Sequence, residues 1–301
     1  MQKIKIRLPA TLTNFGPSLD NLALAVGLYT HVELSPRSDN QLIVETEGEG
    51  AGHYALGLQH PVVLGISRFF QHLETTQLGI HIKIKNEIPI HSGLGAETAL
   101  MVAGIIGANN LMDNLYDRKQ LIPLSAKLAP HQDGAIASFI GGLATSIRVE
   151  EEIIYRALPI TPFRMILAIP EIKNFKVANS PDLVAMKDMR HNLRRTTMLQ
   201  QALADGDLAL LMHTLNDPID QPLIQAGNSD FAHVAEITRL AGALGATTTG
   251  RGSTMIFFAQ DNLPNLVEVI EQAFQNLDIK AQVLTVPVDT QGVVISVMQS
   301  A

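Results

Sequence analysis

Pro89-Ile90-His91-Ser92-Gly93-Leu94-Gly95-Ala96-Glu97-Thr98-Ala99 is the stretch on which the fold turns. Just upstream, Ile80, Ile82 and Ile84 alternate with His81, Lys83 and Lys85, the period of a half-buried strand. Just downstream, Thr98–Leu111 reads as an apolar helix. The turn between them carries Gly93 and Gly95 around Leu94. Glycine lets backbone N–H groups converge, and the helix start adds its positive end. Together they favour a phosphate or a carboxylate. The same glycines also suit a turn that only packs tightly, because short glycine motifs are weakly specific. No Gly-Lys-Ser/Thr follows, and the spacing is not G-x-G-x-x-G.

Outward from this turn, strands and helices mix without regular alternation. Ile4, Ile6 and Leu8 mark a strand, and a turn-rich stretch, Pro9–Asp20, leads to the apolar run Leu22–Leu34. Leu42–Glu45 is a short strand, Val62–Leu73 and Arg118–Leu128 are helices, and His131–Phe139 starts another. Gly141-Gly142 breaks it before the strand Leu143–Val149. The charged patch Glu150–Glu152 and the prolines at 159, 162 and 170 place a boundary near 155. Beyond it come strand Phe163–Ile169 and helices His191–Leu203, Leu208–Leu215 and Phe231–Leu244. The turn Thr247–Ser253 feeds strand Thr254–Ala259, then helix Leu263–Leu277 and strands Ala281–Val288 and Val293–Met298. This order predicts an α+β protein in two halves rather than a parallel doubly wound sheet.

The 301 residues are 46% hydrophobic and 17% charged, with a formal charge of −7, so a broad electrostatic grip on nucleic acid or anionic membrane is not expected. There is no cysteine, which excludes disulfides and thiolate metal sites. No run reaches the roughly 18 apolar residues of a membrane span, and a cytoplasmic protein is expected. The ten histidines form no H-E-x-x-H or close His-x-His pair, although His91 in the turn and His191 beside the arginines are placed to touch a substrate.

Five segments in order resemble one family. Pro9-Ala10-Thr11-Leu12-Thr13-Asn14-Phe15-Gly16-Pro17-Ser18-Leu19-Asp20 is similar to P-A-T-S-A-N-L-G-P-G-F-D, the N-terminal signature of homoserine kinases in the GHMP kinase superfamily. The Pro89–Ala99 turn corresponds to the phosphate loop P-x-x-x-G-L-G-S-S-S-A. His131-Gln132-Asp133-Gly134 resembles H-P-D-N, Asn192-Leu193-Arg194-Arg195 resembles N-L-x-R, and Thr249-Gly250-Arg251-Gly252-Ser253-Thr254 resembles S-G-S-G-P-T. The resemblance implies a two-domain GHMP kinase fold. A ribosomal-protein-like domain would span 1–155 and a ferredoxin-like domain 156–301, with the site between them. It further implies ATP and Mg²⁺, an amino-acid substrate, a role in threonine biosynthesis and a homodimer.

Residue by residue, the resemblance assigns Asn14 and Asp20 to the substrate's hydroxyl and amino ends, and His131 and Asp133 to the reacting hydroxyl. Arg195 becomes the carboxylate clamp, a task suited to a planar guanidinium. Pro89, Ser92, Gly93, Leu94, Gly95, Ala96 and Thr98 become the phosphate loop, with Gly250, Arg251 and Gly252 opposite. Each has a plainer reading: Asn14 and Asp20 as turn residues, His131 and Asp133 as a helix start, Arg194 and Arg195 as a solvated helix face.

The nucleotide side departs from the family. Its loop serines fall on Ala96 and Glu97, and the magnesium-ligating glutamate falls on Ala129. A carboxylate about 4 Å from a phosphate charge costs roughly 4 kcal/mol at an effective dielectric near 20, unless a metal between them reverses the sign. Glu97 is therefore a metal ligand replacing the missing glutamate, an acid–base group, or a helix-start residue favoured by the dipole. Two functions remain open. One is a kinase moving the ATP γ-phosphoryl group to homoserine or a related amino acid. The other needs no nucleotide: isomerase- or lyase-type proton transfer on an anionic metabolite, or a metabolite sensor.

Overall fold

Alternating burial builds the first sheet, in a computed structural model that describes residues 2–299 apart from 19, 56, 77–78, 173–174, 179–181, 229 and 262. Leu19 of the N-terminal motif thus lies outside the described residues. Ile4, Ile6, Leu8, Ala10 and Leu12 are all buried, as period-two geometry requires of one strand face. They extend β1 to Gln2–Thr13, through the stretch expected to turn from Pro9. Pro9 is tolerated because the register with β2 (Leu22–Arg37) shifts between Pro9 and Ala10; at such a bulge a missing N–H costs little.

The seven-stranded sheet runs β11 (Val294–Gln299), β1, β2, β4 (Gly79–Asn86), β3 (Leu42–Gly48), and β5 (Leu143–Val149) pairs with the start of β2. β5 also pairs with β6 (Glu152–Leu158), a strand missed in the sequence. Glu150 takes a left-handed φ of 53° and turns the charged patch into a hairpin, so residue 155 falls inside a strand. β3 and β4 are parallel, joined through α1 (Pro61–His72).

α2 (Ala96–Leu111) and α4 (Gln132–Ile140) pack on β1 and β2, and α3 (Arg118–Leu128) lies beside α4. α2 is buried on all sides from Thr98 to Asn110, which explains its apolar run without a polar stripe. Its approach to α1 depends on glycine: a Cβ on Gly65 would lie 2.2 Å from Met101 O, and one on Gly104 2.2 Å from Val62 O.

The second sheet is antiparallel, in the order β10 (Ala281–Pro287), β7 (Arg164–Pro170), β9 (Met255–Phe258), β8 (Gly245–Thr248). With the helices between β7 and β8, and α9 (Leu263–Asn276) between β9 and β10, this is the ferredoxin-like β-α-β-β-α-β arrangement. Ile166, Phe257, Leu266, Ile270 and Phe274 share its core. The intervening helices are α5 (Met186–Asp205), α6 (Leu208–Thr214), the short α7 (Gln221–Ala226) and α8 (Phe231–Leu240). α7 was not anticipated. α8 stops at Leu240, before the expected Leu244, because Gly242 turns the chain with φ 109°, and Thr247 and Thr248 belong to β8 rather than to a turn. Among the described residues, no helix is long and apolar enough to cross a membrane.

Candidate active site

The loop after β4 enters α2 through Gly95, which is N-cap in the left-handed conformation and offers no side-chain cap. The first N–H groups of a helix have no intrahelical partner, so the start of α2 is open to an acceptor. Gly93 faces the loop between β8 and β9, and the two loops interlock through backbone. A Cβ on Gly93 would lie 2.4 Å from Thr249 O, and one on Gly252 2.0 Å from Ser92 O. Thr254 Oγ1 donates to Ser92 O at 2.7 Å, and Gly250 N donates to Thr13 O at 2.6 Å. The glycines therefore serve tight packing between the two loops.

Beneath these loops lies a cavity of about 1020 Å³, at the upper end of small-molecule sites, which span roughly 300–1,000 Å³. It brings together Asn14, Asp20, Pro89, Ser92–Thr98, His131, Asp133 and Gly250–Gly252. Arg195 and His191, expected with them, do not line it. Glu49, Tyr54 and Phe175 are neighbours that no sequence signal named: Glu49 and Phe175 line the cavity, and Tyr54 donates through its hydroxyl to Glu97 Oε1 at 3.3 Å. Burial raises the Tyr54 phenol above its ordinary value, and the Glu97 charge adds to this.

The side chains differ in readiness. The Ser92 hydroxyl is buried and donates to Pro89 O at 2.6 Å, so it braces the loop instead of facing a ligand. Thr98 is buried. Glu97 sits half-exposed in the first turn of α2, with His91 Nδ1 3.5 Å from its Oε1. The Arg251 guanidinium donates to Ala178 O. Asn14 and Asp20, both with left-handed φ, hold each other: Asn14 Nδ2 donates to Asp20 Oδ1 at 2.8 Å and Asp20 N to Asn14 Oδ1 at 2.7 Å.

Asp133 is the most enclosed of the carboxylates that line the cavity. It is 7% exposed in the first turn of α4, whose N-cap is His131. Its Oδ1 accepts from Gly134 N at 2.8 Å, while the enclosed Oδ2 has no hydrogen-bond partner. Burial raises its pKa, the Asp20 charge adds to that, and the Gly134 N–H and His131 oppose it. A buried acceptor without a partner is costly to keep, and a proton at Oδ2 would ease that cost.

A second set of unmatched atoms lies where α5 meets the N-terminal turn. Thr196 Oγ1 donates to Pro17 O at 2.6 Å, and on these two segments Ser18 Oγ, His191 Nε2, Asn192 Oδ1 and Arg195 Nε are enclosed without partners. Asn192 Nδ2 donates to Asp217 Oδ1 at 2.7 Å. Arg195 is partly exposed, with its Nε enclosed, and it stands outside the main cavity.

Two interlocked glycine loops over one cleft, between a ferredoxin-like sheet and a sheet covered by α2 and α4, give the chain an arrangement similar to that of the GHMP kinases. Residues 62–142 match the GHMP kinases N terminal domain. Its likeness is to homoserine kinases: that of Moorella thermoacetica is 28% identical over 96% of this chain and 99% of its own, and that of Carboxydothermus hydrogenoformans 27% identical over 96% and 95%. The crystal structure of homoserine kinase from Cytophaga hutchinsonii superposes with a TM-score of 0.83 at 23% identity, covering 98% of this chain and 97% of the other, which shows the shared two-domain fold.

Proposed function

We propose that this chain is a small-molecule kinase that transfers the γ-phosphoryl group of ATP to the hydroxyl of homoserine or a related amino acid. One observation carries the reading: the open helix start of α2 and Asp133, whose Oδ2 is enclosed without a hydrogen-bond partner, line the same cavity. Phosphoryl transfer rests on positioning and charge stabilisation, and the two features supply a phosphate seat and a proton acceptor.

The residues present fit the nucleotide and its cation. The amides of Gly95–Thr98 would hold phosphate oxygens, with Gly250–Gly252 closing the opposite side. Magnesium bound to phosphates needs only one or two protein carboxylates, and Glu97 would supply one. The cation would neutralise charge on the transferred group. Asp133, made more basic by burial, would accept the substrate hydroxyl proton at Oδ2, with His131 beside it. Asn14 and Asp20 would hold the amino and hydroxyl ends. Arg195 and His191 are assigned to the substrate carboxylate because their enclosed, unpartnered nitrogens call for acceptors. A division into two domains near residue 155, a homodimer and a place in threonine biosynthesis belong to the same proposal.

The test is a coupled ADP-release assay with ATP–Mg²⁺ and homoserine, alongside melting curves with nucleotide. Turnover and an ATP-dependent rise in Tm are expected. Absence of any shift at millimolar ATP would sink the kinase and leave the proton-transfer or sensor reading.

A further inference from the structure

At the rim of the cavity two imidazoles 38 residues apart in the chain meet: His53 Nε2 and His91 Nε2 are 2.9 Å apart, with ring centroids 4.9 Å apart. Both side chains are exposed to solvent. On its other face His91 presents Nδ1 to Glu97 Oε1 at 3.5 Å, and Tyr54 OH donates to that same oxygen. A shared proton alone would hold the two rings together. The carboxylate behind His91 suits either a shared proton or a bound cation, and His91 takes a left-handed φ of 57°, which a non-glycine residue rarely adopts.

A metal fits the same nitrogens and the same carboxylate. Two nitrogens each about 2.0–2.1 Å from one cation stand about 2.9 Å apart when they subtend a right angle, which is the spacing observed. A carboxylate on the second nitrogen of a metal-bound histidine fixes the ring and raises its basicity, and Glu97 stands in that place. Among the described residues no three ligand-type side chains converge, so the other coordination positions are left to water or to ligand oxygens.

We propose that His53 and His91 are the protein ligands of a binding site for a late first-row divalent metal that accepts right-angled nitrogens, copper, nickel or cobalt, open on its remaining positions to water and to phosphate oxygens. Imidazole nitrogen suits these metals, whereas magnesium prefers oxygen. The site requires no nucleotide, so it stands or falls apart from the kinase reading.

The test titrates the full-length chain, without nucleotide, with cobalt(II) and copper(II) by calorimetry and copper EPR. Wild type is compared with His53→Ala and with His91→Asn, the latter because asparagine tolerates the left-handed backbone; metal-free melting curves check that both variants fold. One equivalent is expected to bind, with two nitrogen ligands on copper and no competition from magnesium. Each variant should weaken binding at least about tenfold, since even outer-sphere partners are worth roughly 10–100-fold, and should leave one nitrogen. Weakening below tenfold in either variant, or fewer than two nitrogens on wild-type copper, overturns the assignment.

Discussion

Glu97→Gln keeps the shape of the side chain and an acceptor for Tyr54, and removes one negative charge from the first turn of α2. Its effect on nucleotide binding should change sign with magnesium. Without the cation, the carboxylate repels phosphate bound to the same turn. For charges about 4 Å apart the repulsion is roughly 1 kcal/mol in water and 4 kcal/mol at an effective dielectric near 20. The Glu97 side chain is 46% exposed, so solvent screening holds the value near the lower end, at about 1–2 kcal/mol. The variant should therefore bind metal-free ATP about 5–30-fold more tightly. With saturating Mg²⁺ the order reverses, because the cation loses its protein carboxylate. The assay is calorimetric titration of ATP into both proteins, with EDTA and with Mg²⁺, at about 0.15 M ionic strength to fix the screening. If the variant binds more tightly, or more weakly, under both conditions, Glu97 is not a bridge between cation and protein and the electrostatic reasoning fails.

Other substitutions probe the remaining parts. Asp133→Asn should lower turnover about 10²–10⁴-fold. Because burial raises the folded pKa of Asp133, its stabilising contribution is complete below the ordinary carboxylate value of about 3.9 and is lost as pH rises through the raised value. Melting curves should accordingly show the variant more stable than wild type at neutral pH, with the gain vanishing in acid. Gly252→Ala sets a Cβ 2.0 Å from Ser92 C and O; urea unfolding should show a loss of about 1–3 kcal/mol, and ATP affinity should fall with it. Arg195→Lys should raise KM for the amino acid roughly tenfold or more, as loss of a charge-assisted hydrogen bond worth about 1.5–3 kcal/mol implies, with kcat little changed; an unaltered KM would remove Arg195 from the substrate.

Much of this protein's fold is legible in its sequence. The strand at Ile80–Ile84, the loop through Gly95 and the helix to Leu111 could be read from period-two alternation followed by an apolar helical run, and β4 and α2 lie there. Elements carried by pairing or turn geometry were harder. β6 escaped notice because its exposed, mixed sequence gains its hydrogen bonds from β5, and the continuation of β1 past Pro9 depends on a bulge visible only against β2. Neither leaves a mark in local composition.

The glycine-loop motifs of the sequence, by their spacing and order, determined the superfamily resemblance and most of the cavity wall, because left-handed turns and helix starts are local choices of the chain. Which polar atoms are left without partners is a different matter, since it depends on what packs over them. Only the tertiary structure enclosed Asp133 Oδ2 and Arg195 Nε, turned the Ser92 hydroxyl back into its own loop, and brought His53 to His91 across 38 residues. Burial and long-range contact set the chemistry of those groups, and neither is encoded in the residues beside them.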